Sequence, residues 1–493
     1  MSADGPSQVE LPLGDVVPRG LPIAPARRVF CNRNLRLERI ELVGFDMDYT
    51  LAIYVQDEMD RLSIEVTARK LVERGYPEVL LTMRVEPRFP IRGLLVDRKL
   101  GNVLKMDRYR YVKRAYHGLR ELPREERRAL YHQRRLRPGT ARYHWVDTLY
   151  ALSEVAVYAG AIEALEALGE PVDYDALFGD VRECIDLAHQ DGSILDVVAA
   201  NFPRFVERDP RLGPTLHRLR SAGKRLFLLT NSQPGYTDAV MRYLLDGAMP
   251  GYASWRSYFD LIITAARKPG FFTEDEPFHE VLADGSTRPA QTLERGRIYR
   301  GGSLAALERM AGTGGDHVLY VGDHIYGDVL RAKKETAWRT AMIIPELDAE
   351  LEALRATAPL RARIEALEEL RAALEDELHE RQARLRGIEE RIGAAGGRDV
   401  ELEAARTLER RAIEGIRRRL RPLDAELDGL EERVERAFHP YWGSLLKAGP
   451  ELSSFGDQVE QFACLYAARV SSFHHYSPWH YFRSPSDRMP HEL

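Results

Sequence analysis

Val43-Gly44-Phe45-Asp46-Met47-Asp48-Tyr49-Thr50-Leu51 carries an apolar run that begins at Ile40 into two carboxylates two residues apart, followed by a threonine. The run from Ile40 to Phe45 is short enough and glycine-bounded enough to be a buried strand. In an open α/β sheet, ligands bind beyond the carboxyl ends of the parallel strands, so Asp46 and Asp48 would face one crevice. Such a pair can divide its labour. One carboxylate attacks an electrophile or binds Mg²⁺, and the other gives and takes a proton. Turn preferences alone also put aspartates at strand ends, so the pair acquires meaning only from companions elsewhere in the chain.

Three further apolar runs end the same way. Leu226-Phe227-Leu228-Leu229 leads into Thr230-Asn231-Ser232, and Leu261-Ile262-Ile263 precedes Ala266-Arg267-Lys268-Pro269. Val318-Leu319-Tyr320-Val321 ends in Gly322-Asp323-His324-Ile325-Tyr326-Gly327-Asp328. If Asp46 is a nucleophile, phosphorus is the electrophile that fits these companions, because a dianionic phosphate beside two carboxylates needs compensating charge and donors. The Thr230 hydroxyl and the backbone N–H groups of Asn231 and Ser232 would form an oxyanion cradle. Lys268 supplies a point charge for the phosphate and for holding Asp46 ionised. Asp323 would complete a Mg²⁺ shell with Asp46 and the Met47-Asp48 backbone region, and Asp328 would orient that shell or hold Lys268. Each residue alone has a bland reading: Thr230 as a helix cap, Lys268 as a solvated loop charge, the Gly-Asp pairs as turn chemistry. Their order, each after an apolar strand, argues for a site.

The chain has 493 residues, enough for about three domains. Residues 1–35, with Pro6, Pro12, Pro18, Pro22 and Pro25, read as an extended arm. Residues 36–119 and 213–349 read as the two parts of the core. A helix is expected over 57–75, closed by Gly75 and Pro77, then two short strands about Gly101-Asn102. Residues 120–212 read as a helical cap over the strand tips. Past Pro345 the composition turns to Ala, Leu, Glu and Arg with apolar residues at steps of four and three. Residues 350–437 are therefore expected to form an antiparallel helical hairpin of coiled-coil type, interrupted at Gly393-Ala394-Ala395-Gly396-Gly397 and kinked at Pro422. It either joins copies of the chain or packs only on itself; a homo-oligomer, dimer or tetramer, is the expected state. Residues 438–493, rich in aromatics, are expected to pack on the core.

A net charge of -5 and a pI near 6.3 offer no electrostatic footprint for nucleic acid. Three scattered cysteines match no disulfide framework or metal spacing and fit a reducing compartment. Without an N-terminal apolar region or a run of membrane-spanning length, the expectation is a cytoplasmic protein with no membrane partner.

The order D-x-D-x-T, strand then Thr, Lys, and strand then G-D-x4-D resembles the four motifs of the haloacid-dehalogenase-like (HAD) phosphohydrolases. Phe45-Asp46-Met47-Asp48-Tyr49-Thr50-Leu51-Ala52, Thr230-Asn231-Ser232, Tyr258-Phe259-Asp260, Arg267-Lys268-Pro269 with Phe271-Phe272, and Gly322 to Asp328 are similar to the cytosolic purine (IMP/GMP-type) 5′-nucleotidase branch. Trp338-Arg339-Thr340, Ile344-Pro345-Glu346-Leu347 and Met489-Pro490-His491-Glu492 agree with it. The resemblance implies an α/β, Rossmann-like core with a parallel sheet and a cap, a Mg²⁺ cofactor, and hydrolysis of nucleoside 5′-monophosphates through an aspartyl-phosphate. In that pattern Asp46 attacks, Asp48 protonates the leaving oxygen and then activates water, Thr230 and Lys268 hold the phosphate, and Asp46, Asp48 and Asp323 serve the metal. Asp rather than Thr at position 48 argues for phosphatase chemistry over the ATPase and dehalogenase branches. The covalent intermediate also permits phosphotransfer, which some relatives perform. In the cap, Arg182, Asp186 and His189 match the base-recognising stretch, on one helical face by their spacing, with Tyr150 as the aromatic. Ala151, where relatives carry Asn, and Leu195, where they carry Lys, depart from the pattern and leave the preferred base open. Two other readings stand beside this one: a HAD phosphatase for another phosphorylated metabolite, and a scaffold with a vestigial site.

Overall fold

The computed structural model describes residues 23–131, 136–169, 171–324, 336–394, 399–487, 489 and 492. Asp328, expected behind the metal shell, lies outside the described residues. At the centre is a ten-stranded sheet. Seven neighbouring strands are parallel, in the spatial order Leu465–Ala467, Arg339–Ile343, Val318–Gly322, Leu42–Phe45, Arg225–Leu229, Leu261–Thr264 and Ile298–Gly301. Antiparallel strands close the two edges: Phe30–Cys31 beside Leu465–Ala467, and Phe278–Val281 with Thr287–Pro289 beyond Ile298–Gly301.

The centre of the sheet is buried on both faces because Leu42–Phe45 and Val318–Gly322 are apolar throughout and Arg225–Leu229 is apolar after its first residue, and alternate residues feed two cores. Val43, Phe45, Leu226, Leu228, Leu319 and Val321 join one cluster, while Leu42, Phe227, Leu229, Val318 and Tyr320 join the other. Gly44 makes room on the second face. A Cβ there would sit 2.0 Å from Cζ of Phe227 on the neighbouring strand, so no larger residue fits this register.

The strands that follow Leu42–Phe45 in sequence first run to one side of it and then return to the other, at Val318–Gly322. The order therefore reverses beside Leu42–Phe45, and the crevice that such a reversal opens lies at the carboxyl end of this strand.

A second, five-stranded antiparallel sheet runs Arg120–Glu121, Val112–His117, Asn102–Met106, Leu94–Asp97 and Tyr143–Val146. Tyr143–Val146 falls inside the segment expected to be a helical cap, and the expected division at 119/120 cuts this sheet. Its pairing with Leu94–Asp97 is a tertiary contact that no local pattern announced. Helices then follow at Ala151–Glu166 and Tyr174–Gln190, packed on the helix Gln56–Glu73.

Ala358–Ala394 and Val400–Phe438 form the hairpin. Arg363 to Glu426 and Arg381 to Glu409 set its antiparallel register, and Leu367, Leu374, Ile416, Leu423 and Leu427 fill its seam. The second helix continues as one element through Pro422, where a kink is expected. Pro422 is exposed, so water can take the carbonyl that loses its N–H partner. After the hairpin the chain returns to the core: Trp442 is fully buried and its Nε1–H donates to the Phe89 carbonyl at 2.6 Å. The terminal segment goes further than covering the core, because Leu465–Ala467 is a strand within the main sheet. Among the described residues no helix is long and apolar enough to cross a membrane.

Candidate active site

Asp46 is the first residue past its strand and remains in register, its N–H donating to the Val321 carbonyl at 2.9 Å. Its Oδ1 accepts from Lys268 Nζ at 2.9 Å and from the Met47 N–H at 2.7 Å. Both side chains are nearly buried, at 12% and 4% exposure, so the ion pair acts in a medium where charges are felt strongly. Lys268 also donates to the Tyr320 hydroxyl at 3.0 Å, and that hydroxyl donates to the Leu229 carbonyl at 3.2 Å. The lysine is thus aimed from a neighbouring strand.

Asn231, whose backbone N–H is expected in the oxyanion cradle, has a further task through its side chain. Its Oδ1 accepts from the Lys268 N–H at 2.6 Å and its Nδ2 donates to the Lys268 carbonyl at 2.9 Å. The amide clamps the lysine's backbone. Ala265 and Arg267 on that loop have φ of 45° and 59°, a left-handed geometry that costs a non-glycine residue of order 1–3 kcal/mol. Thr230 is fully buried, and its Oγ1 accepts from the Ser232 N–H at 3.1 Å. That bond leaves the hydroxyl hydrogen to donate elsewhere.

Both oxygens of Asp48 are held. Tyr54 donates to Oδ1 and Ser232 Oγ to Oδ2, each at 2.6 Å. The Tyr54 hydroxyl is 3.0 Å from that of Tyr236. Burial, and then the charge of Asp48, push the Tyr54 phenol well above its ordinary pKa, so it stays protonated and donates. Ser232, whose backbone N–H is expected to cradle phosphate, uses its hydroxyl on Asp48. Tyr49, between Asp48 and Thr50, has φ 53°.

Asp323 follows the strand next to Asp46 and is 5% exposed. Its carbonyl accepts from Arg92 Nη1 at 2.8 Å. The other edge of the same guanidinium binds both oxygens of Glu346, at 2.8 and 2.6 Å. The Arg92 side chain has no exposed surface and lies over the Phe455 ring, 4.9 Å from its centroid. His324 reaches Asp147 at 3.3 Å.

Among the described residues no three or more His, Cys, Asp or Glu side chains group as a metal site. The donor set that remains suits Mg²⁺ all the same: hard carboxylate oxygens of Asp46 and Asp323 directly after adjacent parallel strands.

The cap candidates reach this loop through a chain of rings. Tyr150 meets Tyr49 edge-on at 5.0 Å and His189 at 5.6 Å. His189 Nδ1 lies 2.9 Å from the Ile185 carbonyl and so carries the proton, leaving Nε2 as a buried acceptor with no partner among the described residues. Arg182 stands 3.5 Å from Glu154. Burial pushes the Glu154 carboxyl up to about 7 against the pull of Arg182, and Asp186 adds to the rise. Tyr150 and His189 thus meet beside Tyr49, while Arg182 and Asp186 stand with Glu154. Ala151 is buried at the start of Ala151–Glu166, and Leu195 opens the short helix Leu195–Ala200.

Sequence reasoning missed Tyr54, Tyr320, Arg92, Glu346 and Glu154. A signal existed for two of them. Arg92 interrupts an apolar stretch directly before Gly93, and Glu346 stands in Ile344-Pro345-Glu346-Leu347 after a buried strand.

The family model described as the 5′ nucleotidase family matches residues 29–493. A 5′-nucleotidase domain-containing protein of Dictyostelium discoideum is 32% identical over 340 residues, which are 67% of this chain and 57% of that protein. The human 5′-nucleotidase domain-containing protein 2 is 33% identical over 344 residues, 66% of this chain and 64% of that one. The chain thus spans about 57% to 64% of the length of these relatives. Among solved structures, one described as a predicted phosphoglycolate phosphatase from Haemophilus somnus 129pt is similar at 12% identity, covering 62% of this chain and 85% of that one with a TM-score of 0.27.

Proposed function

Because the chain belongs to the 5′ nucleotidase family, we propose that it hydrolyses nucleoside 5′-monophosphates with Mg²⁺ as cofactor, through an aspartyl-phosphate on Asp46. The observation that carries this reading is the Asp46–Lys268 ion pair at 2.9 Å at the sheet's switch point, with Asp48 held on both oxygens beside it.

Lys268 holds Asp46 ionised, so that its carboxylate can attack phosphorus while the bond to the leaving 5′-oxygen breaks. Asp48 gives that oxygen a proton and then takes one from the water that cleaves the acyl phosphate. Tyr54 and Ser232 keep Asp48 aimed through both steps. Thr230 and Lys268 hold the phosphate oxygens. Asp46 and Asp323, with main-chain carbonyls near Asp48, would hold Mg²⁺, which supplies charge to offset the phosphate and the two carboxylates. Tyr150, His189, Arg182 and Asp186 support a nucleobase site in the cap, a ring flanked by groups that read its edge, and a purine is the base we favour.

The test is phosphate release across nucleoside monophosphates and sugar phosphates, with Mg²⁺ and with EDTA. The expected outcome is release from a nucleoside 5′-monophosphate that EDTA stops and Asp46→Asn abolishes. Release that survives the chelator, or full activity in the variant, overturns the mechanism. A sugar phosphate preferred over every nucleotide replaces the substrate assignment.

A further inference from the structure

Behind the loop that carries Asp46 and Asp48 lies a second cavity of about 400 Å³, within the size range of small-molecule sites. The loop supplies Tyr49 and Tyr54, the next helix supplies Gln56 and Asp60, and the root of the hairpin supplies Glu350 and His439. Five carboxylates line it against two guanidiniums, and the cations are already committed. Arg88 binds Asp57 and Arg469 binds Glu207, while Glu346 is held by Arg92. His439 adds no charge: its Nε2 donates to the Arg88 carbonyl and its Nδ1 accepts from the N–H groups of Tyr441 and Trp442.

Among the described residues Asp60 has no cation beside it. It is 4% exposed, one of its oxygens accepts from Gln56 Nε2 at 2.9 Å, and the other has no donor among the described residues. Gln56 Oε1 is buried and has no partner among the described residues either. Glu350 has hydrogen bonds from Ser444 and the Leu445 N–H but no ion pair among the described residues, and the nearby Lys105 ammonium is bound to the carbonyls of Trp442 and Ser444. A buried acceptor pair in an acidic cavity with apolar walls has the chemistry to receive a positively charged donor.

We propose that this cavity binds a small amphipathic amine, its apolar body against Leu149, Leu152 and Phe438 and its ammonium on Asp60 and Gln56 Oε1, and that occupancy is felt at Asp48 through Tyr54. Tyr54 is the physical link, since its ring lines the cavity and its hydroxyl donates to Asp48 at 2.6 Å. Burial pushes the Asp60 carboxyl up to about 7, which leaves it close to ionisation when an ammonium arrives. The binding half stands on the cavity alone; the coupling half rests on the proposed function.

Calorimetry on the full chain tests the site with phenethylamine and hexylamine as probes and 2-phenylethanol as the uncharged counterpart. The expected result is saturable binding of an amine, at least about tenfold weaker binding of the alcohol, and a loss of about tenfold or more in Asp60→Asn, which removes the charge and keeps the shape. No saturation by either amine up to about 10 mM, an alcohol that binds as well, or an Asp60→Asn protein that binds equally overturns the site. In a phosphate-release assay a saturating amine is expected to change kcat at least about twofold in the native protein and not in Asp60→Asn. Binding through Asp60 with unchanged turnover overturns the coupling. If the protein releases phosphate from no ester, the coupling falls with the proposed function, while the calorimetric result on the site stands.

Discussion

Tyr54 gives Asp48 one of its two hydrogen bonds, so Tyr54→Phe is expected to lower kcat by about 10- to 100-fold with little change in KM. Steady-state kinetics of phosphate release would show it, and native turnover would remove the assigned role. Arg92 carries a different burden, joining the Asp323 carbonyl to Glu346 from a site closed to water. Arg92→Leu strands that carboxylate and should cost about 3–5 kcal/mol in denaturant unfolding. Arg92→Lys keeps the charge but cannot span both partners. It should raise the Mg²⁺ concentration for half-maximal turnover and weaken Mg²⁺ binding by calorimetry. Thr50 makes a contrast: its hydroxyl is buried with no partner among the described residues, so Thr50→Val should leave the melting temperature unchanged or raise it. Asp46, Asp48, Thr230, Lys268 and Asp323 stood out in the sequence because each follows an apolar run, a local pattern. Arg92 and Glu346 are 254 residues apart, and nothing near either residue records the other.

At the level of elements, the strand Leu42–Phe45 tolerates its neighbour only because position 44 has no side chain. Gly44→Ala drives a methyl group into the Phe227 ring and should cost about 1–3 kcal/mol, read as a lower unfolding midpoint. In the hairpin, Leu374→Ala opens the seam shared with Leu367 and Leu423. A cost of about 2–5 kcal/mol is expected, seen as faster local hydrogen exchange in Ala358–Ala394 while phosphate release keeps its native rate. The apolar periods that reveal long helices and buried strands were legible, which is why Val318–Gly322 and both hairpin helices were anticipated. The small antiparallel sheet was only half legible. Leu94–Asp97 and Asn102–Met106 meet across a glycine turn, whereas Tyr143–Val146 joins them from a distance. Its only sequence signal is four residues long.

For the molecule as a whole, two buried acids tie stability to pH. Burial lifts Asp60 from 3.8 and Glu154 from 4.5, each to about 7. The folded state therefore holds their protons more tightly than the unfolded state does. Their contribution is largest below about pH 4 and is lost as pH rises to about 7. Melting temperature should consequently gain in Asp60→Asn at pH 8 relative to the native chain, and the difference should close near pH 4; an equal gain at both would refute the burial account. Light scattering on a chain without residues 358–438 decides whether the hairpin joins copies, since a smaller oligomer is expected if it does. One arrangement reaches beyond catalysis. Phe30 pairs with Tyr466, and Cys31 with Leu465, which itself lies beside Ala341. A nascent chain can place Asp46, Thr230, Lys268 and Asp323 on their strands and still lack an outer strand of the same sheet until Leu465–Ala467 emerges. Until then the backbone of Arg339–Ile343 presents an unpaired edge, and the growing polypeptide carries an open template for aggregation throughout the synthesis of the long hairpin.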